Sequence, residues 1–340
     1  MSALDPIFAT LKRLDPEALF ELRPTYPPVA VEIDRGQMTL VRLKPRRRGL
    51  PVLEAFRVHT APDPTNGATV FRPNLGSVEE TARQVRELFE RSGTKPGRVS
   101  LVLPDNLAKV SIVTLPERPV NRKQLREMLR FKLRRSVPFR LEDAAISSCP
   151  LPGPGPEAHF LVGVMMRSVV EHYEAAFEAA GARPGLVELC TPSLFNLVRR
   201  DIAKAVASGS DAALLNCADR YFTLLIVRAD RVVFFRCKTY AGGEDEDMSA
   251  RLAVMGRELA SSLSYYAEKL AGHGVGTMFV RAVAPGLAEV VGVLERVGAS
   301  SVHAIDASAS VEASSGIKFD PTEGQRLAPA LGSASGRTAA

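Results

Sequence analysis

The sequence predicts a two-lobed α/β fold that arose by duplication, because one strand–turn–strand pattern occurs twice. The first copy is VAVEIDRGQMTLVRL (29–43), in which a tight turn at 34–36 separates two apolar strands. The second copy is ALLNCADRYFTLLIV (213–227), and RVVFFRCK (231–238) adds a third strand. Each β-meander leads into helical segments, as expected for two similar lobes. Paired turns of this kind can hold a phosphate chain, provided that they offer small residues and an acid for Mg²⁺.

Length and composition fit such a fold. The chain has 340 residues, which favours about two domains, and 46% of them are hydrophobic. No apolar run approaches the roughly 18–20 residues that span a bilayer. The N-terminal residues lack the apolar core and cleavage site of a secretory signal, so we expect a cytoplasmic location.

Metal and nucleic-acid chemistry have little support in the sequence. The cysteines show no C-x-x-C spacing and the five histidines are scattered, so neither a metal centre nor a disulfide is expected. The cysteines are Cys149, Cys190, Cys217 and Cys237. The net charge of +6 favours an anionic partner, but Trp is absent and no basic–aromatic alternation suggests single-strand binding. No nucleic-acid partner is expected.

The first half of the chain predicts an N-terminal extension and then mixed elements. In residues 1–28, Ile7, Phe8, Leu11 and Leu14 have helical spacing, which predicts a short helix that either packs on the protein itself or is a docking or membrane-surface element. A three-stranded meander then runs to about residue 59. Ser77 is expected to cap a helix, and two strands follow at 98–104 and 108–116.

A basic helix is predicted from the Asn121 cap to about residue 136. Leucines at 125, 129 and 133 form its apolar stripe. On another face, arginines recur at every fourth position, at Arg122, Arg126, Arg130 and Arg134. This face is either solvated or binds an anionic partner or a membrane surface.

The second half repeats the alternation of strands and helices. A strand (159–167), a helix (168–180) and a strand–helix pair precede a break at 208–210 and the second meander. A long amphipathic helix (248–270), a strand (277–282), a helix (285–296) and a short strand (301–305) follow. From about residue 307 the chain is rich in Ser, Ala and Gly, and we expect residues 307–340 to lack a fixed structure.

Six phrases in this order resemble the PilM family of type IV pilus assembly proteins. They are VAVEIDRGQMTLVRL, LPDNLAKVSIVTLP, LREMLRFKLRRSVPFRLED, VVEHYEAAFEAAGARPGLVEL, ALLNCADRYFTLLIV with CKTYAGG, and RELASSLSYYAEK. The resemblance implies an actin-like (ribonuclease H-like, duplicated) two-lobed α/β fold with a small subdomain inserted in the first lobe. The implied parts are a first lobe (29–97 and 186–207), the inserted subdomain (98–185) and a second lobe (208–306).

The resemblance also implies a role. Proteins of this family lie on the cytoplasmic side of the inner membrane and bind the N-terminal tail of PilN, a single-span membrane protein. A PilN-like tail, other pilus motor or platform proteins, and peripheral contact with the membrane are therefore the expected partners. The cytoplasmic part of a GspL-like type II secretion protein, which shares the fold, is the related alternative.

The nucleotide motifs of the family transfer poorly to this chain. The first turn has Glu32, Asp34 and Gly36, and the Asp34 carboxylate stands where a glycine should approach phosphate. The second turn offers Asn216 and Ala218, and the Asn216 amide lacks the charge that holds Mg²⁺. Side chains at 280–283 are expected to crowd the base and ribose.

These departures predict a scaffold with a degenerate cleft that binds no cofactor, or ATP and Mg²⁺ only weakly, and has no catalytic residue. A working ATPase or phosphotransferase is the alternative, because Glu32 and Gly36 persist and Asp219 or Asp34 could hold the metal from a shifted position.

Overall fold

The computed structural model describes residues 26–34, 36–60, 68–153, 155–240 and 247–336. The predicted N-terminal helix therefore lies outside the described residues. The strands are β1 (Val29–Asp34), β2 (Gln37–Lys44), β3 (Val52–Thr60), β4 (Arg98–Leu103), β5 (Ala108–Leu115), β6 (Ala144–Leu151), β7 (Ala158–Met166), β8 (Arg183–Leu189), β9 (Asp211–Cys217), β10 (Tyr221–Arg228), β11 (Arg231–Thr239), β12 (Val275–Ala282), β13 (Val302–Ala304) and β14 (Glu312–Ala313). The helices are α1 (Val78–Arg91), α2 (Arg122–Leu133), α3 (Arg167–Ala179), α4 (Cys190–Ala207), α5 (Met248–Lys269), α6 (Leu287–Arg296) and α7 (Pro321–Ala334).

The first lobe is built on a six-stranded mixed sheet. Its strand order is β14-β3-β2-β1-β4-β8. Strands β1, β2 and β3 form the antiparallel meander, whereas β4 runs parallel to β1 and β8 runs parallel to β4. The β1–β2 turn contains Gly36 at φ 60, a left-handed conformation that favours glycine. The predicted cap of the next helix is confirmed, since the Ser77 hydroxyl accepts from the Glu80 N–H at 3.2 Å.

The second lobe repeats this topology. Its strand order is β11-β10-β9-β12-β13, again with an antiparallel meander followed by parallel strands. Apart from the short β14, the two sheets have the same strand order, because β3-β2-β1-β4-β8 in the first lobe corresponds to β11-β10-β9-β12-β13 in the second. The prediction of a duplicated two-lobed α/β fold is thus confirmed.

The inserted subdomain is smaller than predicted. It consists of the antiparallel sheet β5-β7-β6 with α2 packed on it, and its own core includes Leu115, Leu129, Leu133 and Val162. The predicted boundaries, 98–185, are wrong at both ends. Strand β4 pairs with β1 and β8 in the first sheet, while α3 packs on α1. These elements belong to the first lobe because their apolar faces are buried in its core.

Residues 307–336 are ordered, contrary to the prediction, and residues 337–340 lie outside the described residues. A short 3-10 helix (Ala307–Ser310), β14 and α7 occupy most of the ordered segment. Helix α7 begins with a capping box in which Asp320 accepts from the Glu323 N–H and Glu323 accepts from the Asp320 N–H. Leu327, Ala328, Ala330 and Leu331 of this helix are buried, and the helix packs against α4 and the first sheet. The small residues, whose composition predicts disorder, instead permit close helix packing.

A single hydrophobic core joins the two sheets. It contains residues of β1 and β2 in the first lobe, β9 and β10 in the second, and the helices α4 and α7 between them. Helix α4 contacts both sheets, since it packs against β8 and β4 as well as β9, β10 and β12. The point at which the lobes meet is therefore buried and well packed. No helix of the described ranges has the length and apolar character needed to cross a bilayer.

Candidate interlobe site

A buried ion pair lies where the two lobes meet. The Arg281 guanidinium on β12 donates through Nη2 to Oε1 of Glu32 on β1, at 2.9 Å. Arg281 is 0% exposed and Glu32 is 2% exposed. A charge buried to this extent has to be compensated by a partner and by hydrogen bonds.

The other two nitrogens of the Arg281 guanidinium also reach acceptors. Arg281 is the parallel partner of Asn216 in the β12–β9 register, and its Nη1 donates to Asn216 Oδ1 at 3.2 Å. Its Nε donates to the carbonyl oxygen of Gln325 on α7 at 3.0 Å. The rigid guanidinium fork therefore holds one residue from each lobe and one from the C-terminal helix.

A second buried acid, Asp105, lies next to this pair. It belongs to the short 3-10 helix Asp105–Leu107 that follows β4. Its Oδ1 accepts from the Thr191 N–H at 2.9 Å in the first turn of α4, where backbone donors have no helical partner. Its Oδ2 accepts from the Thr191 hydroxyl, from Thr223 Oγ1 at 2.7 Å and from Asn216 Nδ2 at 3.2 Å. Asp105 thus caps α4 and bonds to β9 and β10, the first two strands of the second meander.

Gln325 connects α7 to the second sheet. Its Oε1 accepts from the Ala282 N–H at 3.0 Å, and its Nε2 donates to the Ile305 carbonyl oxygen at 2.6 Å. We call Glu32, Asp105, Thr191, Asn216, Thr223, Arg281 and Gln325 the interlobe network. It joins elements of both lobes through side chains that are nearly inaccessible to solvent.

Burial changes the proton affinity of both acids. Removal from water raises the pKa of Glu32 to about 7, although the charge of Arg281 opposes this rise. The nearby charge of Asp34 raises it further. Burial also raises the pKa of Asp105, and its hydrogen bonds to Thr191, Thr223 and Asn216 oppose this effect. The second oxygen of Glu32, Oε2, is buried with no hydrogen-bond donor in the described structure.

The structure brings together two of the predicted cleft residues, Glu32 and Asn216, through Arg281. Asp34 ends β1, close enough for its charge to raise the pKa of Glu32, and Gly36 forms the following turn. Ala218 follows β9, and its N–H donates to the Tyr221 carbonyl oxygen at 2.9 Å. These three residues border the interlobe network but make none of its hydrogen bonds described above.

Sequence reasoning missed the central residue of the network. The sequence predicts Arg281 only as one of the side chains at 280–283 that crowd a nucleotide, and it does not single out Asp105, Thr191, Thr223 or Gln325. One signal was present in the sequence. A lone arginine in the apolar strand MFVRAV, and a lone aspartate after the apolar strand VSLVLP, indicate buried charges that require partners.

The geometry does not fit a magnesium nucleotide at this point. A cation between Glu32 and Asn216 would need the place that the Arg281 guanidinium occupies, and two cations there would repel each other. Asp219, the acid that could hold a metal from a shifted position, already forms an ion pair, because its Oδ1 lies 3.1 Å from Arg251 Nη1. Within the described ranges, no group of three potential ligands could hold a metal ion.

The four predicted partner-binding arginines lie elsewhere. Arg122, Arg126, Arg130 and Arg134 are exposed on or next to α2, in the inserted subdomain. The predicted Asn121 cap is confirmed, because its side chain accepts from the Gln124 N–H at 2.9 Å. None of these arginines takes part in the interlobe network.

Comparison with known proteins finds a match in structure but not in sequence. No family model and no curated protein matches the chain. A chain of the PilM–PilN type IV pilus biogenesis complex superimposes with a TM-score of 0.74 at 16% identity, over 92% of this chain and 97% of that one. A more distant structure is the cytoplasmic domain of EpsL, an inner-membrane component of the type II secretion system of Vibrio cholerae, with a TM-score of 0.46 at 10% identity over 88% of this chain and 93% of that one. Another is a Bacteroides thetaiotaomicron protein with an actin-like ATPase fold and unknown function, with a TM-score of 0.47 at 7% identity over 85% of this chain and 93% of that one. The chain thus has the two-lobed α/β fold of that chain of the PilM–PilN complex, to which it is similar over nearly its whole length.

Proposed function

We propose that this protein is a scaffold of a type IV pilus assembly, or of a related secretion platform, and that it binds the cytoplasmic tail of a PilN-like single-span membrane protein. The observation that carries the proposal is the structural similarity to a chain of the PilM–PilN complex over 92% of this chain. The six ordered phrases support the same assignment. In this role the protein lies on the cytoplasmic side of the inner membrane.

We further infer that the interlobe cleft does not turn over ATP. Glu32 is the acid that the first phosphate turn retains, and it is already paired with Arg281. Separating a buried pair leaves two uncompensated charges, and removal of one partner typically costs about 3–5 kcal/mol. A nucleotide that needed Glu32 for its metal would have to supply at least that free energy.

The interlobe network supports a scaffold role in a second way. Actin-like lobes that bind and release a nucleotide need freedom to move relative to each other. Here the hydrogen bonds of Arg281, Asp105 and Gln325 join both lobes and α7 within a continuous core. Such a body presents a fixed surface to its partners.

Isothermal titration tests the partner. The titrant is a synthetic peptide of the cytoplasmic N-terminal segment of the PilN-like protein from the same organism, and a scrambled peptide is the control. We expect saturable binding of the native peptide only. Absence of binding at several hundred micromolar, or equal binding of the scrambled peptide, contradicts the proposal.

Direct measurement of Mg·ATP binding tests the rival function, a working ATPase or phosphotransferase on this fold. We expect weak binding or none, and no difference between the wild type and Glu32→Gln. Tight binding that Glu32→Gln abolishes would instead establish Glu32 as a nucleotide ligand and overturn the degenerate-cleft assignment.

A further inference from the structure

We propose that the exposed face of α2 docks on an anionic lipid surface and that Phe131 inserts between the headgroups. We define this basic–aromatic face by Arg126, Arg130, Phe131, Arg134 and Arg135. The inference deepens the proposed function, because it assigns a membrane contact to the protein itself in addition to the contact through its partner.

The charge around α2 is strongly one-sided. Residues 121–140 contain eight basic side chains and one acidic side chain, Glu127. Arg140 pairs with Glu142 just beyond this segment, at 3.7 Å. In the part of the chain that the structure describes, no carboxylate lies within ion-pair distance of Arg126, Arg130 or Arg134. The face therefore carries positive charge that the fold does not neutralise.

Phe131 is the most exposed large apolar side chain of the described residues, with 80% of its surface accessible. The helix has no packing need for it, since Leu129 and Leu133 bury the opposite side in the subdomain core. Glu127 and Arg135 lie one turn before and after Phe131 on the same face, and Arg134 lies three residues on. Val120, immediately before the cap, is also 75% exposed.

A lipid surface fits this arrangement better than a peptide or a nucleic acid. An extended peptide is normally held in a groove or along a sheet edge, whereas this face is the convex outer side of a helix that packs on β5. A nucleic-acid site usually has several stacking aromatics, and this face has one. Basic side chains around a protruding aromatic residue are typical of elements that lie in the membrane interface.

Vesicle flotation of the full chain tests the proposal. The vesicles consist of phosphatidylcholine alone or of phosphatidylcholine with phosphatidylglycerol, at low and high salt. We expect binding to the anionic vesicles only, weakened by salt because the attraction is electrostatic. Arg126→Glu with Arg130→Glu should reduce partitioning more than about tenfold, and Phe131→Ser should reduce it severalfold.

The matched control is Arg257→Glu with Lys269→Glu, which makes the same charge change on exposed positions of α5. It should change partitioning less than about twofold, as expected for screened charges outside the contact. Circular dichroism of every variant verifies folding. Failure of the wild type to float with anionic vesicles overturns the proposal, and so does an equal effect of the control.

Peptide titration without vesicles separates this proposal from the proposed function. If the peptide binds and the anionic vesicles do not, the lipid contact is wrong and the scaffold role stands. If the α2 variants lose peptide binding but still float with vesicles, the face belongs to the peptide and the lipid proposal is overturned. If vesicles bind through α2 and the peptide does not bind at all, the lipid contact stands and the PilN-like partner is wrong.

Discussion

Arg281 and Glu32 are 249 positions apart in the chain, yet Arg281 Nη2 lies 2.9 Å from Glu32 Oε1 in the buried centre of the protein. One residue comes from each lobe, and neither is accessible to solvent. The pair joins β1 of the first sheet to β12 of the second. Its energetics can be tested without knowledge of any partner.

Arg281→Leu should strongly destabilise the protein, because it leaves the Glu32 carboxylate buried without its counter-charge. We expect a loss of about 3–5 kcal/mol in the free energy of unfolding, measured by urea denaturation. Arg257→Leu, at an exposed position on α5, should change this value by less than about 0.5 kcal/mol. Equal effects of the two variants would show that the ion pair does not stabilise the fold.

The double variant Glu32→Leu with Arg281→Leu should be more stable than Arg281→Leu alone. Removal of both charges leaves no uncompensated ion in the core, although the bonds to Asn216 and Gln325 are lost. A double-mutant cycle in urea measures the interaction, for which we expect a coupling free energy of about 1–3 kcal/mol. Strict additivity of the single variants would contradict a direct Glu32–Arg281 contact.

Stability should fall as pH rises through neutrality because of Glu32. Its pKa is about 7 in the folded chain against a reference of 4.5, so the folded state binds more protons than the unfolded state between these values. Stability from this group is therefore fully present below about pH 4.5 and is lost as pH rises through about 7. In Glu32→Gln this contribution is absent.

The measurement is urea denaturation of the wild type and of Glu32→Gln between pH 5 and pH 8. Over this range, the free energy of unfolding of the wild type minus that of the variant should decrease by about 2–3 kcal/mol. Burial also raises the pKa of Asp105. Its contribution to the pH dependence of stability is present in both proteins and therefore cancels in the difference. A difference that does not change with pH would mean that the pKa of Glu32 is not raised by burial.

The sequence predicts the strands and their order well, because the meanders carry uninterrupted apolar runs bounded by turn residues. It does not reveal contacts between lobes. The pairing of Arg281 with Glu32 depends on how the two sheets face each other, and no local pattern encodes that orientation. The sequence mispredicts the boundary of the insert for a related reason, since the pairing of β4 with β1 is a long-range contact.

The C-terminal segment shows how composition can mislead. Residues such as Gly332 and Ser333 favour flexible chains in isolation. In the fold, small side chains allow α7 to approach the backbone of α4, and a Cβ on Gly332 would collide with the carbonyl oxygen of Ser193. Burial of Leu327 and Leu331 then offsets the low intrinsic helix propensity of the glycines.

Gly332→Ala should therefore destabilise the protein, even though alanine favours helices. The added methyl group must push α7 away from α4, and overpacking of this kind costs about 1–3 kcal/mol. Gly292→Ala on α6 is the matched control, because its nearest neighbour is an atom of the Arg296 side chain at 3.7 Å. The control should be neutral, or stabilising by up to about 1 kcal/mol. Urea denaturation measures both, and limited proteolysis should cleave the C-terminal segment faster in Gly332→Ala only. A neutral or stabilising Gly332→Ala would show that α7 does not pack closely on α4.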